Sequence, residues 1–326
     1  MAGGSRTVEF EVPEHLSGLR LDQVLSALAG ISRAKAASLI KEGKAGVANK
    51  ARVAPSLRLS VGDRAFAELE DSDVGVHPIE MDLEVLHEDE HVGVVSKPAG
   101  IPVHPASSVS GPTLVSGLLA RWPQITAVGE PDRPGIVHRL DQDVSGLMVV
   151  ALDSEAYAFL VSAFSSKKVT RKYLALAAGV LEADTGRIEG PIGRDPHDPT
   201  KRAVVLGGKP AATNYTRLAY WEECSLAEVE LDTGRTHQIR VHMQAIGHPL
   251  CGDSIYGRRN SRNHRVAIQK AMSYLERPFL HAYRLEFEHP FTKEWLVFES
   301  ALPPDLVSAL FALGTPVFGS LEGVAI

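Results

Sequence analysis

Apolar positions recur at helical spacing near the start of the chain and at strand spacing further on. Apolar residues between positions 19 and 28 lie on one face of a helix, and a second helix is predicted over 33–41. Short β-type segments follow at 46–48 and 64–69. The first seventy residues are therefore predicted to form two short helices that lead into a small sheet.

Beyond this region, short β-rich runs alternate with helical stretches. The predicted strands are 85–86, 92–95, 146–152, 173–178, 204–206, 227–231 and 295–298. The predicted helices are 113–121, 155–165, 236–246 and 304–312. The sequence shows no fixed repeat and no glycine-rich nucleotide loop after a strand. These elements favour an α+β fold with a mixed, largely antiparallel sheet.

The chain has 326 residues, enough for two domains of ordinary size. The segment 71–80 is acidic, contains glycine and proline, and is typical of a linker. We therefore expect an N-terminal segment over 1–16, a small module over 17–75, a larger domain over 76–314 and a tail over 315–326.

Composition is that of a globular protein, with 44% hydrophobic and 23% charged residues. No apolar run approaches the roughly 18 residues that span a bilayer, and the start lacks the apolar core of a signal peptide. We therefore expect a cytoplasmic protein with no membrane association. Cys224 and Cys251 have neither a metal-ligand spacing nor partners for a disulfide framework, so we expect no metal.

Charge is distributed unevenly along the chain. The formal net charge is −6, yet residues 17–64 carry nine lysines and arginines against three acidic residues. Screening limits electrostatic attraction to about 10 Å, so a local basic face matters more than the total charge. The pattern indicates either a nucleic-acid surface or simply a solvated basic face.

The clearest candidate for chemistry is a carboxylate in the segment 135–151. Asp141 follows Arg139 in a short polar stretch, ahead of an apolar run over 147–152. This segment, with its His-Arg-Leu-Asp sequence ending at Asp141, closely resembles the signature of the RluA family of pseudouridine synthases. In that family the aspartate of this sequence is the catalytic residue.

Further motifs extend the resemblance over most of the chain. In the larger domain they are Ser96-Lys-Pro-Ala-Gly-Ile-Pro-Val-His-Pro105, Thr170-Arg-Lys-Tyr-Leu-Ala175, Leu231-Asp-Thr-Gly-Arg-Thr-His-Gln-Ile-Arg-Val-His242 and the loop 247–257. In the N-terminal module, Arg20-Leu-Asp22, Ile40-Lys-Glu-Gly43 and Val61-Gly-Asp63 resemble the αL RNA-binding module of a small-subunit ribosomal protein and several RNA-modifying enzymes. Val144 and Leu152 stand where the family commonly has Thr and Lys, and neither change removes a catalytic group.

The resemblance implies roles for individual residues. The catalytic set would be Asp141, Tyr173, which packs on the target uracil, and Arg240, which pairs with Asp141. A buried Asp–Arg pair keeps the carboxylate ionised and fixes its rotamer. From the residues alone, Tyr173 is typical of a core tyrosine, and the alternative for Arg240 is a surface arginine on a helix. Thr236 is expected to cap the helix that carries Arg240.

The same resemblance, together with the charge pattern, predicts which residues contact RNA. They are Arg33, Lys35, Lys41, Lys44, His104, Arg139, Lys172, Arg235 and His237. Residues His237, His242, His248 and Asp253 lack the i, i+4 spacing of a metal site on a helix.

The predicted function is therefore an RNA pseudouridine synthase without a cofactor, acting as a monomer. The order of motifs is most similar to the RluD-like branch of the family, which acts on large-subunit ribosomal RNA. The alternatives are the same activity on tRNA, an RNA-binding protein that has lost catalysis, and an aspartate-dependent hydrolase of small molecules.

Overall fold

The computed structural model describes most of the chain. The described residues are 5–29, 31, 33–48, 50, 52–70, 76–105, 111–257 and 266–324. Residues 71–75 of the predicted linker lie outside them.

The described residues form strands and α-helices that are numbered here in chain order. The strands are β1 Ser5–Glu11, β2 Ala45–Val47, β3 Arg64–Glu70, β4 Glu84–Glu88, β5 Val92–Lys97, β6 Gly129–Glu130, β7 Arg133–Pro134, β8 Ser145–Ala151, β9 Thr170–Ala178, β10 Thr185–Glu189, β11 Ile192–Arg194, β12 Arg202–Val204, β13 Ala212–Trp221, β14 Cys224–Leu231, β15 Leu280–Glu288, β16 Trp295–Glu299 and β17 Phe318–Gly319. The α-helices are α1 Leu21–Ala29, α2 Arg33–Glu42, α3 Leu114–Arg121, α4 Ser154–Ser165, α5 Gln238–Ala245, α6 Val266–Met272 and α7 Pro304–Leu313.

The chain divides into two compact units. The first consists of Met1–Asp82 and His104–Ile136, and the second of Leu83–Val103 and Val137–Ile326. The domain boundaries expected from the sequence, at residues 16, 75 and 314, stay predictions. None of the helices formed by the described residues is both long enough and apolar enough to cross a membrane.

The first unit contains a small antiparallel sheet with the order β1-β3-β2. Buried residues of α1 and α2, including Leu25 and Leu39, share one core with Ala65 and Ala67 of β3. The two predicted helices and the small sheet are thus present. β1 lies within the separate segment expected over 1–16, and it pairs with β3 from Ser5 to Glu11.

The second unit is built on a large sheet. Among the described residues this sheet has ten strands, with the order β10-β13-β14-β9-β15-β8-β5-β4, and β16 and β17 pair with β15 and β13. The pairing of β15 with β8 is parallel, whereas the other pairings within the sheet are antiparallel. The predicted α+β class with a mixed, largely antiparallel sheet is therefore confirmed.

Strand β9 presents side chains to both faces of this sheet. Leu174 and Leu176 pack into a core that includes Leu306 and Leu310 of α7. Successive side chains of a strand point to opposite faces, so Tyr173 projects from the face opposite Leu174. The face that carries Tyr173 is the one on which the candidate site is built.

The start of β8 approaches β15 very closely. Gly146 has a φ of +121°, and a Cβ atom at this position would lie 2.3 Å from the carbonyl oxygen of Ala282. Only glycine fits here, because a side chain would clash with the neighbouring backbone as well as strain the chain. This contact fixes the end of the loop that carries Asp141.

Helix α5 begins one residue later than a cap at Thr236 would require. Its N-cap residue is His237, which has left-handed backbone angles (φ 57°, ψ 23°) and forms no side-chain cap hydrogen bond. The predicted cap at Thr236 is therefore wrong. Instead, the Gln238 side-chain carbonyl accepts hydrogen bonds from the Arg235 amide at 3.0 Å and the Thr233 hydroxyl at 2.7 Å. This side chain closes the turn that a cap at Thr236 was expected to close.

Candidate active site

Asp141 lies in the loop that precedes β8, and His138 attaches this loop to the strand. His138 Nε2 accepts a hydrogen bond from the Val149 amide at 3.0 Å, and its ring stacks on Phe164 with centroids 4.6 Å apart. Burial, assisted by the charge of Arg171, lowers the pKa of His138 to about 3. The ring is therefore neutral at pH 7, as its acceptor role requires.

Lys97 supports the same loop from the other side. Its fully buried Nζ donates hydrogen bonds to the carbonyls of Pro98 at 2.7 Å, Ile101 at 2.8 Å and Gln142 at 3.0 Å. Burial lowers the pKa of Lys97 to about 7, although Asp143 and Asp141 oppose this effect. One side chain thus ties residues 98–101 to the residue that follows Asp141.

A buried ion pair lies beneath the loop. Arg240 on α5 donates from Nε and Nη2 to the two carboxylate oxygens of Asp253, at 2.7 and 2.8 Å. The Asp253 carboxylate also accepts from the amides of Ile255 and Tyr256 at 2.9 and 3.0 Å. Burial alone would raise the pKa of Asp253, but the Arg240 guanidinium and these amides hold it below its ordinary value. This two-point geometry is the strong form of the Asp–Arg interaction.

Asp141 contacts the remaining edge of the same guanidinium. Arg240 Nη1 lies 3.5 Å from Asp141 Oδ2, and His237 Nε2 lies 4.0 Å from Asp141 Oδ1. The Asp141 side chain keeps 15% of its surface exposed, whereas Arg240 keeps 3%. The structure therefore brings Asp141 and Arg240 together, but Asp253 is the closer partner of Arg240. One carboxylate in this group remains accessible.

Tyr173 lies on β9 and is 5% exposed. Burial raises the pKa of its hydroxyl; the charge of Arg171 opposes this rise and that of Asp141 adds to it. The phenol is therefore neutral at pH 7. Tyr173 lies close enough to Asp141 for the carboxylate charge to act on its hydroxyl.

Gln238 fixes the loop between β14 and α5. Besides closing the turn at Arg235, its buried amide nitrogen donates to the carbonyl of Ala212 at 2.9 Å and to the hydroxyl of Thr213 at 3.0 Å. The side chain thereby joins β13 to the start of the helix that carries Arg240. A buried polar residue with all these partners positions its surroundings rather than reacting.

Besides His237, three of the predicted RNA-contacting residues lie in this unit but differ in their surroundings. Arg139 is exposed, and its charge acts on His237. Arg235 is exposed and donates from Nε to the carbonyl of Pro210 at 3.1 Å. Lys172 forms an ion pair with Glu228 at 2.9 Å. By strand alternation Lys172 lies on the face of β9 opposite Tyr173, so it is separated from Asp141 by the sheet.

The other predicted RNA contacts belong to the first unit. On α2, the exposed Arg33 lies 3.4 Å from Asp22, which also binds Arg20 at 3.0 Å. Lys41 and Lys44 are exposed, and the partly buried residues Lys35 and His104 complete the predicted set. Their contacts with RNA stay predictions.

One of the histidines considered as metal ligands has hydrogen-bond partners at both ring nitrogens. His242 is buried between the Thr213 hydroxyl, 2.8 Å from Nδ1, and the Gly190 carbonyl, 3.0 Å from Nε2. Within the described ranges, no group of three or more histidine, cysteine or acidic side chains is placed to hold a metal ion.

Four residues of this site were not predicted to have a role: Lys97, Gln238, Asp253 and Tyr256. Each lies inside a motif recognised in the sequence. Motif membership was the available signal, but it does not show which side chain of a motif is buried or what it binds.

Comparison with known proteins identifies one family. Residues 91–245 match the family model described as RNA pseudouridylate synthase. The Ribosomal large subunit pseudouridine synthase D of Nitrosomonas europaea is 40% identical over 94% of this chain and 88% of its own. The protein of the same name from Neisseria meningitidis serogroup B is 42% identical over 94% of this chain and 82% of its own.

A solved structure is similar as well. Human RNA Pseudouridylate Synthase Domain Containing 4 aligns with a TM-score of 0.58 and 26% identity, covering 73% of this chain and 95% of that one. These similarities define the class of the protein, an enzyme that isomerises uridine to pseudouridine in RNA. The chain belongs to the RluA family of RNA pseudouridine synthases, which confirms the family predicted from the sequence.

Proposed function

We propose that this enzyme modifies large-subunit ribosomal RNA in the cytoplasm as a monomer, with Asp141 as its catalytic residue. The observation that carries the catalytic assignment is the position of Asp141, which lies against Arg240 and His237 while part of its carboxylate stays exposed. The ribosomal substrate is supported by the names of two relatives that are 40% and 42% identical over 94% of the chain.

The reaction defines what Asp141 has to do. Pseudouridine formation breaks the glycosidic carbon–nitrogen bond, turns the base and rejoins it to the sugar through carbon 5, whose hydrogen leaves as a proton. Asp141 acts either as a nucleophile at the sugar or as a base that abstracts a sugar proton, and an ionised carboxylate serves both routes. The isomerisation is redox-neutral and consumes no phosphate donor, so the proposal includes no cofactor.

The substrate uridine has to leave its stack to reach Asp141, which costs a few kcal/mol. In the proposal, the ring of Tyr173 packs against the flipped base, a contact worth about 1–3 kcal/mol. The exposed Arg139 binds the RNA next to the flipped nucleotide. Arg240 acts through Asp141 and is therefore a positioning residue.

The catalytic assignment is tested with Asp141→Asn, assayed by tritium release from RNA that carries 5-tritiated uridine. We expect no product, together with RNA binding close to that of the wild type in a filter assay. Glu299→Gln on β16 is a control, because this residue pairs with Arg284 away from the site. Full activity of Asp141→Asn would contradict the assignment.

The substrate is tested by mapping pseudouridines across total RNA from a strain that lacks the protein. We expect pseudouridines to disappear from large-subunit ribosomal RNA and to return when the wild-type gene, but not Asp141→Asn, is restored. Loss confined to tRNA would replace ribosomal RNA with tRNA as the substrate, and an unchanged map would refute both.

A further inference from the structure

His237 has a backbone conformation that a histidine rarely adopts. Its φ of 57° is left-handed, and among the described non-glycine residues only Lys167 and Lys293 also have a positive φ. Such a conformation costs on the order of 1–2 kcal/mol, and it persists where surrounding contacts impose it. The conformation places the ring beside Asp141, with Nε2 4.0 Å from Oδ1.

Tyr256 holds the other side of this ring. Its buried hydroxyl lies 2.8 Å from His237 Nδ1 and 3.0 Å from the backbone nitrogen of Arg202. The Arg202 N–H can only donate, so the hydroxyl oxygen accepts from it. Among the contacts recorded for this hydroxyl, His237 Nδ1 is the atom that can take its hydrogen, so we assign Nδ1 as the acceptor.

An accepting Nδ1 leaves the proton of the neutral ring on Nε2. Burial lowers the pKa of His237, opposed by Asp141 and assisted by Arg240, so the neutral ring is the relevant form at pH 7. The Nε2–H group therefore faces Asp141. At 4.0 Å the interaction is electrostatic, and about 1 Å of closure makes it a hydrogen bond.

We propose that His237 and Tyr256 form a relay that positions Asp141: Arg202 N–H fixes the Tyr256 hydroxyl, the hydroxyl fixes the tautomer of His237, and His237 holds Oδ1 while Arg240 holds Oδ2. The inference rests on the proposed function of Asp141. It assigns to His237 a positioning role in place of the RNA contact predicted from the sequence, and it gives Tyr256 a role that no motif indicated.

The relay also connects the site to a neighbouring hairpin. Arg202 lies on β12, which pairs with β11 from Arg202 to Val204. The Tyr256 ring additionally lies under Arg240, whose guanidinium carbon is 5.0 Å from the ring centroid. Tyr256 thus contacts both groups that flank Asp141.

The tautomer is measured by long-range proton–nitrogen NMR of protein labelled at histidine, a readout that does not depend on activity. We expect His237 to carry its proton on Nε2 in the wild type, and Tyr256→Phe to mix the two tautomers. Tyr274→Phe is the matched control, because Tyr274 is 43% exposed. A proton found on Nδ1 in the wild type would overturn the relay.

Kinetics of tritium release test the positioning role. Two variants are compared, His237→Asn and Tyr256→Phe, and asparagine is chosen because it tolerates left-handed backbone angles. Each variant is expected to lower kcat about tenfold and to leave KM unchanged, as expected for the loss of one charge-assisted hydrogen bond. The double variant is expected to be no slower than either single one.

The outcomes separate the two proposals. A raised KM with an unchanged kcat would show that His237 contacts RNA and would overturn the relay. Additive losses in the double variant would overturn it as well. Tritium release that survives Asp141→Asn would refute the proposed catalytic residue, while the NMR result would still decide whether the relay exists. If Tyr256→Phe does not fold, His237→Asn alone supplies the kinetic comparison.

Discussion

Replacing Asp253 with asparagine isolates the contribution of the ion pair beneath the site. The carboxylate accepts two bonds from Arg240, at 2.7 and 2.8 Å, and neither side chain is more than 3% exposed. Asparagine keeps one acceptor for the backbone amides but turns its NH2 group toward the guanidinium. Breaking a buried pair by removing one partner costs about 3–5 kcal/mol, because the other charge stays buried.

We therefore expect Asp253→Asn to lower the free energy of unfolding by about 3 kcal/mol, the lower end of that range, since one acceptor remains. The measurement is urea unfolding at neutral pH, with equal slopes for the wild type and the variant. We also expect kcat to fall, because Arg240 loses the contact that orients it toward Asp141.

The chain offers a matched control. Arg277 binds Asp305 with the same two-point geometry, at 2.7 and 3.0 Å, but Asp305 is 37% exposed. Asp305→Asn is expected to cost about 1 kcal/mol or less, because water screens and replaces the lost partner. Equal losses in the two variants, or a loss below about 1 kcal/mol in Asp253→Asn, would refute the argument that burial sets the cost.

Two further predictions follow from single lysines. Burial lowers the pKa of Lys97 to about 7 from an ordinary value of 10.5. Between pH 7 and 10.5 the folded protein therefore binds fewer protons than the unfolded chain. Its free energy of unfolding rises with pH over this range, by at most about 1.4 kcal/mol per pH unit. Lys97→Met is expected to lack this rise in urea unfolding from pH 7 to 10, and identical pH profiles would contradict it. RNA affinity falls with salt, and the slope of the logarithm of affinity against the logarithm of salt concentration measures this dependence. Lys41→Ala is expected to make this slope shallower by roughly 0.7–0.9. Lys172→Ala is expected to leave that slope unchanged, because Lys172 pairs with Glu228 on the far side of β9, and an equal reduction in both would disprove this distinction.

Strands that form a nearly continuous apolar run could be predicted from the sequence, whereas two of the strands that contain a bulge could not. β8 is buried along its whole length and β14 nearly so, and both were recognised as apolar runs. β13 and β15 were missed, and each contains an irregularity in register, between Arg217 and Ala219 and between Ala282 and Arg284. A bulge inserts one residue, so the side chains after it change face and the two-residue period is lost.

The candidate site could be predicted only in part, because some of its contacts join residues that are distant in the sequence. The position of Asp141 beside Arg139 is a local feature, and a motif reveals it. The partner of Arg240 is a choice among the acidic residues of the chain, and only the fold decides between Asp141 and Asp253. Likewise, nothing in the sequence places the Tyr256 hydroxyl against His237.

The division of Arg240 between two carboxylates explains how Asp141 can be both held and reactive. A carboxylate bound at two points, as Asp253 is, has both oxygens occupied by its partner. Such a carboxylate is held strongly and is not free to react. Asp141 meets one nitrogen at 3.5 Å, so its attraction to Arg240 is weaker and its oxygens remain available to a ribose. Because Asp253 already compensates the buried guanidinium, moving Asp141 toward the substrate leaves no unpaired charge behind. Asp253 therefore supports the proposed reaction without touching the substrate.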